Sequence, residues 1–277
     1  MQPSNRLTTT PIRIIANIGW VRASYPDGRS YTFPGGAGLH LSTAVSAAGG
    51  LATPISVVGM DLREVVTALE KRHIDTQAVK EVPDQPSCRF ELSYDDNGSL
   101  ISAISQFNAA QGLSEHALNQ LDTPGHFHVS CRLPLDLAPL LAALAGRSYS
   151  LDFYSPSIAN YLTLARPFLS GAHGIFINQA ELALLQQIVG ISELELLVVS
   201  DGARPVRLFS HGEMIAVVQP PIVAALEVTG AGDTLAGSYL ASTLNGVAIH
   251  DALHIAVYAA SAATKHWDPL SEQPSGG

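Results

Sequence analysis

Glu227-Val-Thr-Gly-Ala-Gly-Asp-Thr234, continued by Leu235-Ala-Gly-Ser-Tyr-Leu240, is the stretch that decides the reading of this chain. A short loop of small residues delivers Asp233 to the start of a helix, because Leu235, Tyr239, Leu240 and Leu244 recur at helical spacing. The first-turn amides of such a helix have no internal acceptor, and its dipole makes that end positive. Gly230 and Gly232, with Ala231 between them, let an anion approach the backbone closely. The loop therefore offers amides to a phosphate and, beside them, a carboxylate able to take a proton from an attacking hydroxyl. The plainer reading is an aspartate capping a helix after a glycine turn.

Two other segments bear on that choice. In Gly174-Ile-Phe-Ile-Asn-Gln-Ala-Glu-Leu-Ala-Leu-Leu185 an apolar strand ends at Ile177, and Asn178 and Glu181 open a helix. They share a helix face, where a carboxylate can hold Mg²⁺ directly or through water. Asn-x-x-Glu is equally a capping box. Leu194-Glu-Leu-Leu-Val-Val-Ser-Asp-Gly-Ala203 reads as another apolar strand ending in a Ser-Asp-Gly turn, with the next strand at Val206 to Phe209.

In this order the segments resemble the ribokinase-like (PfkB) carbohydrate kinase family, over nearly the whole chain. That family phosphorylates a hydroxyl of a sugar, nucleoside or related small molecule from ATP. Thr229-Gly-Ala-Gly-Asp-Thr234 matches its C-terminal signature. By that match Gly230, Ala231 and Gly232 form the anion hole, and Asp233 is the catalytic base. Asn178 and Glu181 match its magnesium motif, while Ser200 and Gly202 match the turn along the nucleotide, which Thr229 also borders. Gly35 and Gly36, in Phe33-Pro-Gly-Gly-Ala-Gly-Leu-His40, match its sugar-site glycines, and Gly59-Met-Asp61 resembles its following Gly-x-Asp. The resemblance implies one α/β domain over 1–277, with a doubly wound, mostly parallel sheet and helices on both faces. A small β lid would come from about 17–34 and 87–105. ATP, Mg²⁺, K⁺ and a homodimer formed through the lid belong to the same expectation.

Three positions depart from the family pattern. His40 stands where an asparagine usually contacts substrate hydroxyls. Val21 falls where an aspartate usually holds two of them, and Asn17 and Asp27 are the residues near enough to replace it. Glu227 stands where many members carry an aspartate beside a monovalent cation. The phosphoryl-transfer half is thus intact and the substrate half altered. An unpaired buried hydroxyl costs roughly 1 to 3 kcal/mol. The expected acceptor therefore has an apolar or heteroaromatic part lying against Trp20 and Val21, with His40 on a polar group. A member that binds a nucleoside or sugar without turnover is the alternative. A dinucleotide oxidoreductase lacks support, since no Gly-x-Gly-x-x-Gly follows the first strand.

Composition agrees with a compact α/β chain. It has 277 residues, 47% hydrophobic and 14% charged, enough to bury a sizeable core. A formal charge of −9 argues against a nucleic-acid partner. It also requires an anionic nucleotide to be neutralised locally by Mg²⁺ and amides. Cys88 and Cys131 are lone thiols, in keeping with a reducing cytoplasm. No signal core opens the sequence and no segment reaches 18 uninterrupted apolar residues, so no membrane role is expected.

Along the chain, residues 1–10 read as a loose arm, Ile12 to Ile18 as a strand, and Arg29 to Phe33 as a short strand into the Gly-Gly turn. Leu39 to Ala48 reads as a helix, Pro54 to Val58 as a strand and Leu62 to Arg72 as a helix. Cys88 to Tyr94 and Ser99 to Ile104 flank Asp95-Asp-Asn-Gly98, a hairpin signal. Strand and helix then alternate: Phe127 to Val129, a helix near 135–145, Tyr149 to Phe153, a helix near 158–168, and Ile175 to Ile177. That alternation predicts a parallel sheet with ligands at the carboxyl ends of its strands. The alanine-rich 252–263 stretch reads as a buried helix, and the tail after Trp267 as frayed. His126 and His128 share a strand face and are read as hydrogen-bonded or solvent-facing histidines, with metal ligation as the alternative. Asp152 is read either as an active-site neighbour or as a cap on the Ser155-Pro-Ser turn, and Asp61 either as approaching the substrate or, more plainly, as a cap on the 62–72 helix.

Overall fold

The computed structural model describes residues 10–154 and 158–270. Two sheets organise them. The larger has nine strands in the order β13-β12-β11-β10-β9-β8-β1-β4-β5. These are β1 (Ile12–Ile15), β4 (Ala52–Gly59), β5 (Val79–Val82), β8 (His126–Cys131), β9 (Tyr149–Phe153), β10 (Gly174–Asn178), β11 (Leu196–Asp201), β12 (Arg204–Ser210) and β13 (Glu213–Val218). Pairing is parallel from β11 to β5 and antiparallel only where β12 and β13 extend the edge. The smaller sheet has the order β3-β2-β6-β7, from β2 (Gly19–Ser24), β3 (Ser30–Gly35), β6 (Cys88–Tyr94) and β7 (Leu100–Gln106).

Helices cover both faces of the large sheet, which is why most of its strands are apolar on both sides; β8 and β9 carry buried polar side chains on one face. One face packs on α3 (Leu113–Leu118), α4 (Leu137–Ala143), α5 (Ile158–Ala165) and α6 (Gln179–Leu185). The other packs on α1 (Ala37–Ala47), α2 (Arg63–Glu70), α7 (Ala231–Leu244) and α8 (Ile249–Ala263). The period-two rule is visible in β10, where Ile175 and Ile177 join the first cluster and Phe176 the second.

Several boundaries differ from the sequence expectation. The first strand stops at Ile15, because the chain leaves the large sheet there and enters the lid at Gly19. The expected 62–72 helix is a 3₁₀ turn over Met60–Leu62 followed by α2. β11 runs through Ser200 and Asp201 before Gly202 turns it at φ +58°. β5, α3 and β13 were not foreseen, since each is short and weakly patterned. α8 is buried on one face only, with Ile255 and Tyr258 exposed.

The segment after Trp267 is tied down as far as it is described. Trp267 stacks on Tyr31 of β3 (centroids 6.3 Å, 8°), and the Leu270 carbonyl accepts from Arg72. Most of the expected arm, the Ser155-Pro-Ser turn and residues 271–277 lie outside the described residues. Among the described residues no helix is long and apolar enough to cross a membrane.

Candidate active site

Gly230 ends the signature loop in the left-handed conformation (φ +77°, ψ 3°) and is the N-cap of α7. The Ala231 amide donates to Val228 O (3.2 Å) and Thr234 to Gly230 O (2.8 Å). Among the described residues no backbone carbonyl takes the Gly232 or Asp233 amide. A Cβ built on Gly232 would meet nothing within 4 Å, so the space beside that residue is open. Asp233 stands in the first turn with its side chain 15% exposed. Burial and the nearby Asp152 charge push its carboxyl up to about 6, against the opposing pull of Arg132.

Glu227 is buried and binds the lid to this loop. Its Oε1 accepts from Tyr25 Oη (2.8 Å), the Thr229 amide (2.9 Å) and Thr229 Oγ1 (2.5 Å). Tyr25 Oη in turn accepts the Val228 amide (3.2 Å), and Tyr94 Oη lies 2.7 Å from Thr229 Oγ1. Tyr25 and Tyr94 stack at 5.3 Å. Arg29 Nη1 donates to Leu226 O (3.0 Å). The lid is therefore fastened to the loop that precedes Asp233.

Asn17, Gly35, Gly36 and His40 come together beside it. Gly36 has φ +88°, and a Cβ there would approach Asn17 O to 2.5 Å. Asn17 Nδ2 donates to Leu133 O (3.0 Å). His40 is enclosed between the Gly35 and Gly230 backbones. Its burial lowers the imidazole to about 4, so the ring is neutral at pH 7. His40 Nε2 and Asn17 Oδ1 are both buried without a hydrogen-bond partner, an uncommon state for native polar atoms. Of the two candidates to replace the missing aspartate, Asn17 is at this place. Asp27 lies instead in an exposed turn, paired with Arg29 at 2.6 Å.

Asn178 and Glu181 form the capping box in full. The Asn178 side chain accepts from the Glu181 amide (3.0 Å), and Glu181 Oε2 from the Asn178 amide (2.8 Å). Glu181 is 4% exposed, unusually buried for a carboxylate. Asn178 and Ser200 are register partners at the ends of β10 and β11, and Gly202 follows them. These three and Glu181 thus share the sheet's carboxyl-end rim.

Some expectations are corrected. Trp20 and Val21 are successive residues of β2 and face opposite sides of the lid. Val21 belongs to the lid's apolar cluster with Phe33, Leu92 and Tyr94, whereas Trp20 Nε1 donates to Asp61 Oδ2 (3.2 Å). One ligand group cannot lie against both. Asp61 caps no helix. It accepts from the Ser87 amide (2.8 Å) and hydroxyl (2.6 Å), and so pins the lid at β2 and at the residue just before β6. His126 and His128 are fully buried and hydrogen-bonded to Ser148, Ser150 and Asp152. Among the described residues no group of three or more His, Cys, Asp or Glu is placed to hold a metal ion. Burial pushes the Cys88 thiol up to about 12, away from reactivity.

Sequence reasoning missed Arg132. It follows β8 and reaches both carboxylates, with Nη2 2.5 Å from Asp152 Oδ1 and 3.4 Å from Asp233 Oδ1. Its guanidinium also lies 5.1 Å from the Tyr154 ring centroid. The signal available was alternation. His126, His128, Ser130 and Arg132 are polar at every second position of a strand whose neighbours on both sides are parallel.

The pfkB family carbohydrate kinase profile matches residues 28–273. A cytidine kinase of Thermococcus kodakarensis is 25% identical over 276 residues, covering 93% of this chain and 97% of that protein. The nucleoside kinase of Methanocaldococcus jannaschii, an archaeal member of the ribokinase family, superposes with a TM-score of 0.79. It is 14% identical, with 96% and 95% of the two chains covered. The Burkholderia thailandensis nucleoside kinase in complex with inosine superposes at 0.76, with 17% identity and 94% and 93% coverage.

Proposed function

The chain belongs to the pfkB family of carbohydrate kinases, phosphotransferases that act on an alcohol group of a sugar or nucleoside, and we propose that its acceptor is a nucleoside and its base Asp233. The observation that carries the reading is the placement of Asp233 in the first turn of α7, beside free amides and the open space at Gly232. The acceptor oxygen attacks the γ-phosphorus of ATP and forms the new P–O bond. The bond to the β-phosphate oxygen breaks, and its electron pair leaves with ADP. The acceptor's proton passes to Asp233, whose raised pKa suits a base near neutral pH. The Gly232 and Asp233 amides donate to the oxygens of the transferring group.

The oxygen donors at Asn178 and Glu181 fit Mg²⁺, a hard cation that keeps waters and takes few protein ligands. Held there and by the phosphates, Mg²⁺ would supply charge neutralisation. Ser200 and Gly202 border the nucleotide. For K⁺ we assign Glu227, because its three hydrogen bonds all converge on Oε1 and leave Oε2 for a cation. Asn17 Oδ1 and His40 Nε2 are the unsatisfied atoms that would meet the acceptor, and Val21 gives the lid an apolar side there. That combination, and the resemblance to a cytidine kinase, support a nucleoside over a plain sugar. Pairing of two copies through the lid is supported by Ile101 and Ile104, 66% and 59% exposed on β7. A cytoplasmic setting is supported by two buried, unpaired thiols.

The test is steady-state kinetics with ATP on ribose, fructose and a set of nucleosides. A nucleoside is expected to exceed either sugar by about tenfold or more in kcat/KM. Preference for a plain sugar, unchanged by His40→Ala, would overturn the acceptor assignment. Binding of nucleosides without transfer would overturn the assignment of Asp233.

A further inference from the structure

β8 and β9 pair in parallel with His128 opposite Ser150 and Ser130 opposite Asp152. On one face the two strands carry Phe127, Val129, Cys131, Tyr149, Leu151 and Phe153, all in the apolar core. On the other, the polar side chains touch in series. Ser148 Oγ is 2.8 Å from His126 Nδ1, and His126 Nε2 is 2.8 Å from Ser150 Oγ. Ser150 Oγ is 2.7 Å from His128 Nδ1, and His128 Nε2 is 3.0 Å from Asp152 Oδ2. Ser130 Oγ also reaches Asp152, at 2.8 Å. The two histidines, Ser130 and Ser150 are 0% exposed. Such a buried network is costly unless every member is satisfied.

With one proton on each imidazole, every hydrogen bond in this series has one direction. An ionised Asp152 only accepts, so His128 Nε2–H donates to it and Nδ1 accepts from Ser150. The Ser150 oxygen then accepts from His126 Nε2–H, and His126 Nδ1 accepts from Ser148. Every donor thus points toward Asp152, and Asp152 holds Arg132, which reaches Asp233.

We propose that Arg132 is a positioning residue for phosphoryl transfer, holding Asp233 ionised and oriented, and that the Ser148–His126–Ser150–His128–Asp152 series is the rigid mount that places it. The proposal rests on the assignment of Asp233 as the base. The charged and titratable groups that face Asp233 are Arg132 and His128 from the β8 side and Asp152 and Tyr154 from the β9 side. His40 of α1 packs against the adjoining Gly230 turn, and Glu227 bonds to the loop that leads into it. Arg132 is the one fixed cation among them. Without it two carboxylates would share a buried site with no permanent positive charge, and Asp233 would keep its proton to higher pH. Arg132 Nε is itself buried without a partner, so two contacts through one terminal nitrogen fix the guanidinium, and both are to carboxylates.

The test compares pH–rate profiles of Arg132→Met, Arg132→Gln, Arg132→Lys and Ser150→Ala, each first checked for folding by thermal melting. Arg132→Met and Arg132→Gln are expected to move the acid limb of kcat/KM upward. The loss would be roughly tenfold at pH 7 and would shrink toward pH 9, with the KM for ATP within about threefold of wild type. Arg132→Lys restores the charge and should bring the limb most of the way back. Ser150→Ala opens the mount and should move the limb the same way by a smaller amount. Should the Met variant not fold, the Gln variant decides. An unmoved limb, or a loss equal at every pH, overturns the proposal, as does a rise in ATP KM with kcat and the limb unchanged. A Ser150→Ala enzyme that melts earlier with an unmoved limb removes the mount. Wild-type turnover and its abolition in Asp233→Asn test the underlying assignment separately.

Discussion

The imidazole of His40 lies so close to Gly230 that a Cβ built on that glycine would come within 2.3 Å of the ring. The glycine-rich loop and His40 are therefore one packed unit. Gly230→Ala meets both this clash and a positive φ, and is expected to cost about 2 to 4 kcal/mol and most of the turnover. His40→Gly in the same chain removes the ring and should return part of that stability. Urea unfolding of the double-mutant cycle measures the coupling, and strict additivity of the two substitutions would contradict the contact.

Asp233→Asn is expected to keep the fold and lose about 10² to 10⁴ in rate. Wild-type kcat/KM should fall as pH drops below about 6, where the buried carboxyl takes up its proton. The same raised pKa has a stability consequence. Between the ordinary aspartate value near 4 and about 6, the native protein binds the proton that the unfolded chain releases, so this group's contribution to stability falls as pH rises. The Asn variant, free of that charge, should be more stable at pH 7 by an amount on the order of 2 kcal/mol. Melting curves at pH 5 and 7 check the sign.

Glu181→Gln keeps an oxygen that can accept the Asn178 amide, so the capping box should survive with a stability change within about 1 kcal/mol. The charge near the phosphates is lost, and the Mg²⁺ concentration for half-maximal rate should rise severalfold. A lower melting temperature with unchanged Mg²⁺ dependence would leave Glu181 as a cap alone.

Glu227→Ala removes three hydrogen bonds at once, one of them from the lid. Replacing a choline salt by K⁺ should raise the wild-type rate, and the variant should lose that response. If wild-type rates are equal in the two salts, the carboxylate serves the loop and lid only.

The arrangement of the residues proposed for phosphoryl transfer was legible because each group lies in one short stretch. Gly230 to Asp233 is a contiguous stretch, and Asn178 with Glu181 span one helical turn, so residue type and spacing state their arrangement. The residues proposed for the acceptor side come from across the fold. Asn17 leaves β1, His40 sits in α1 and Val21 in the lid, and their facing relations depend on where the chain departs from the large sheet. That departure at Ile15, two residues before Asn17, has no turn residue to mark it. Asp61 was misread for a similar reason: its partners, Trp20 on β2 and Ser87 just before β6, lie 41 and 26 residues away. Arg132 escaped notice because its role depends on the registration of β8 with β9, which no single segment encodes.

Both tryptophans of this chain, Trp20 and Trp267, touch the small sheet: one is part of β2, and the other stacks on Tyr31 of β3. The helices and strands of the large sheet contain none. Indole emission from the unlabelled protein therefore reports on the lid, its C-terminal brace and the part of the large-sheet core that Trp20 packs against. An acceptor that moves the lid is expected to change this emission without an attached dye, and Asp61→Asn, which weakens the hydrogen bond held by one of the two indoles, would assign the signal to its source.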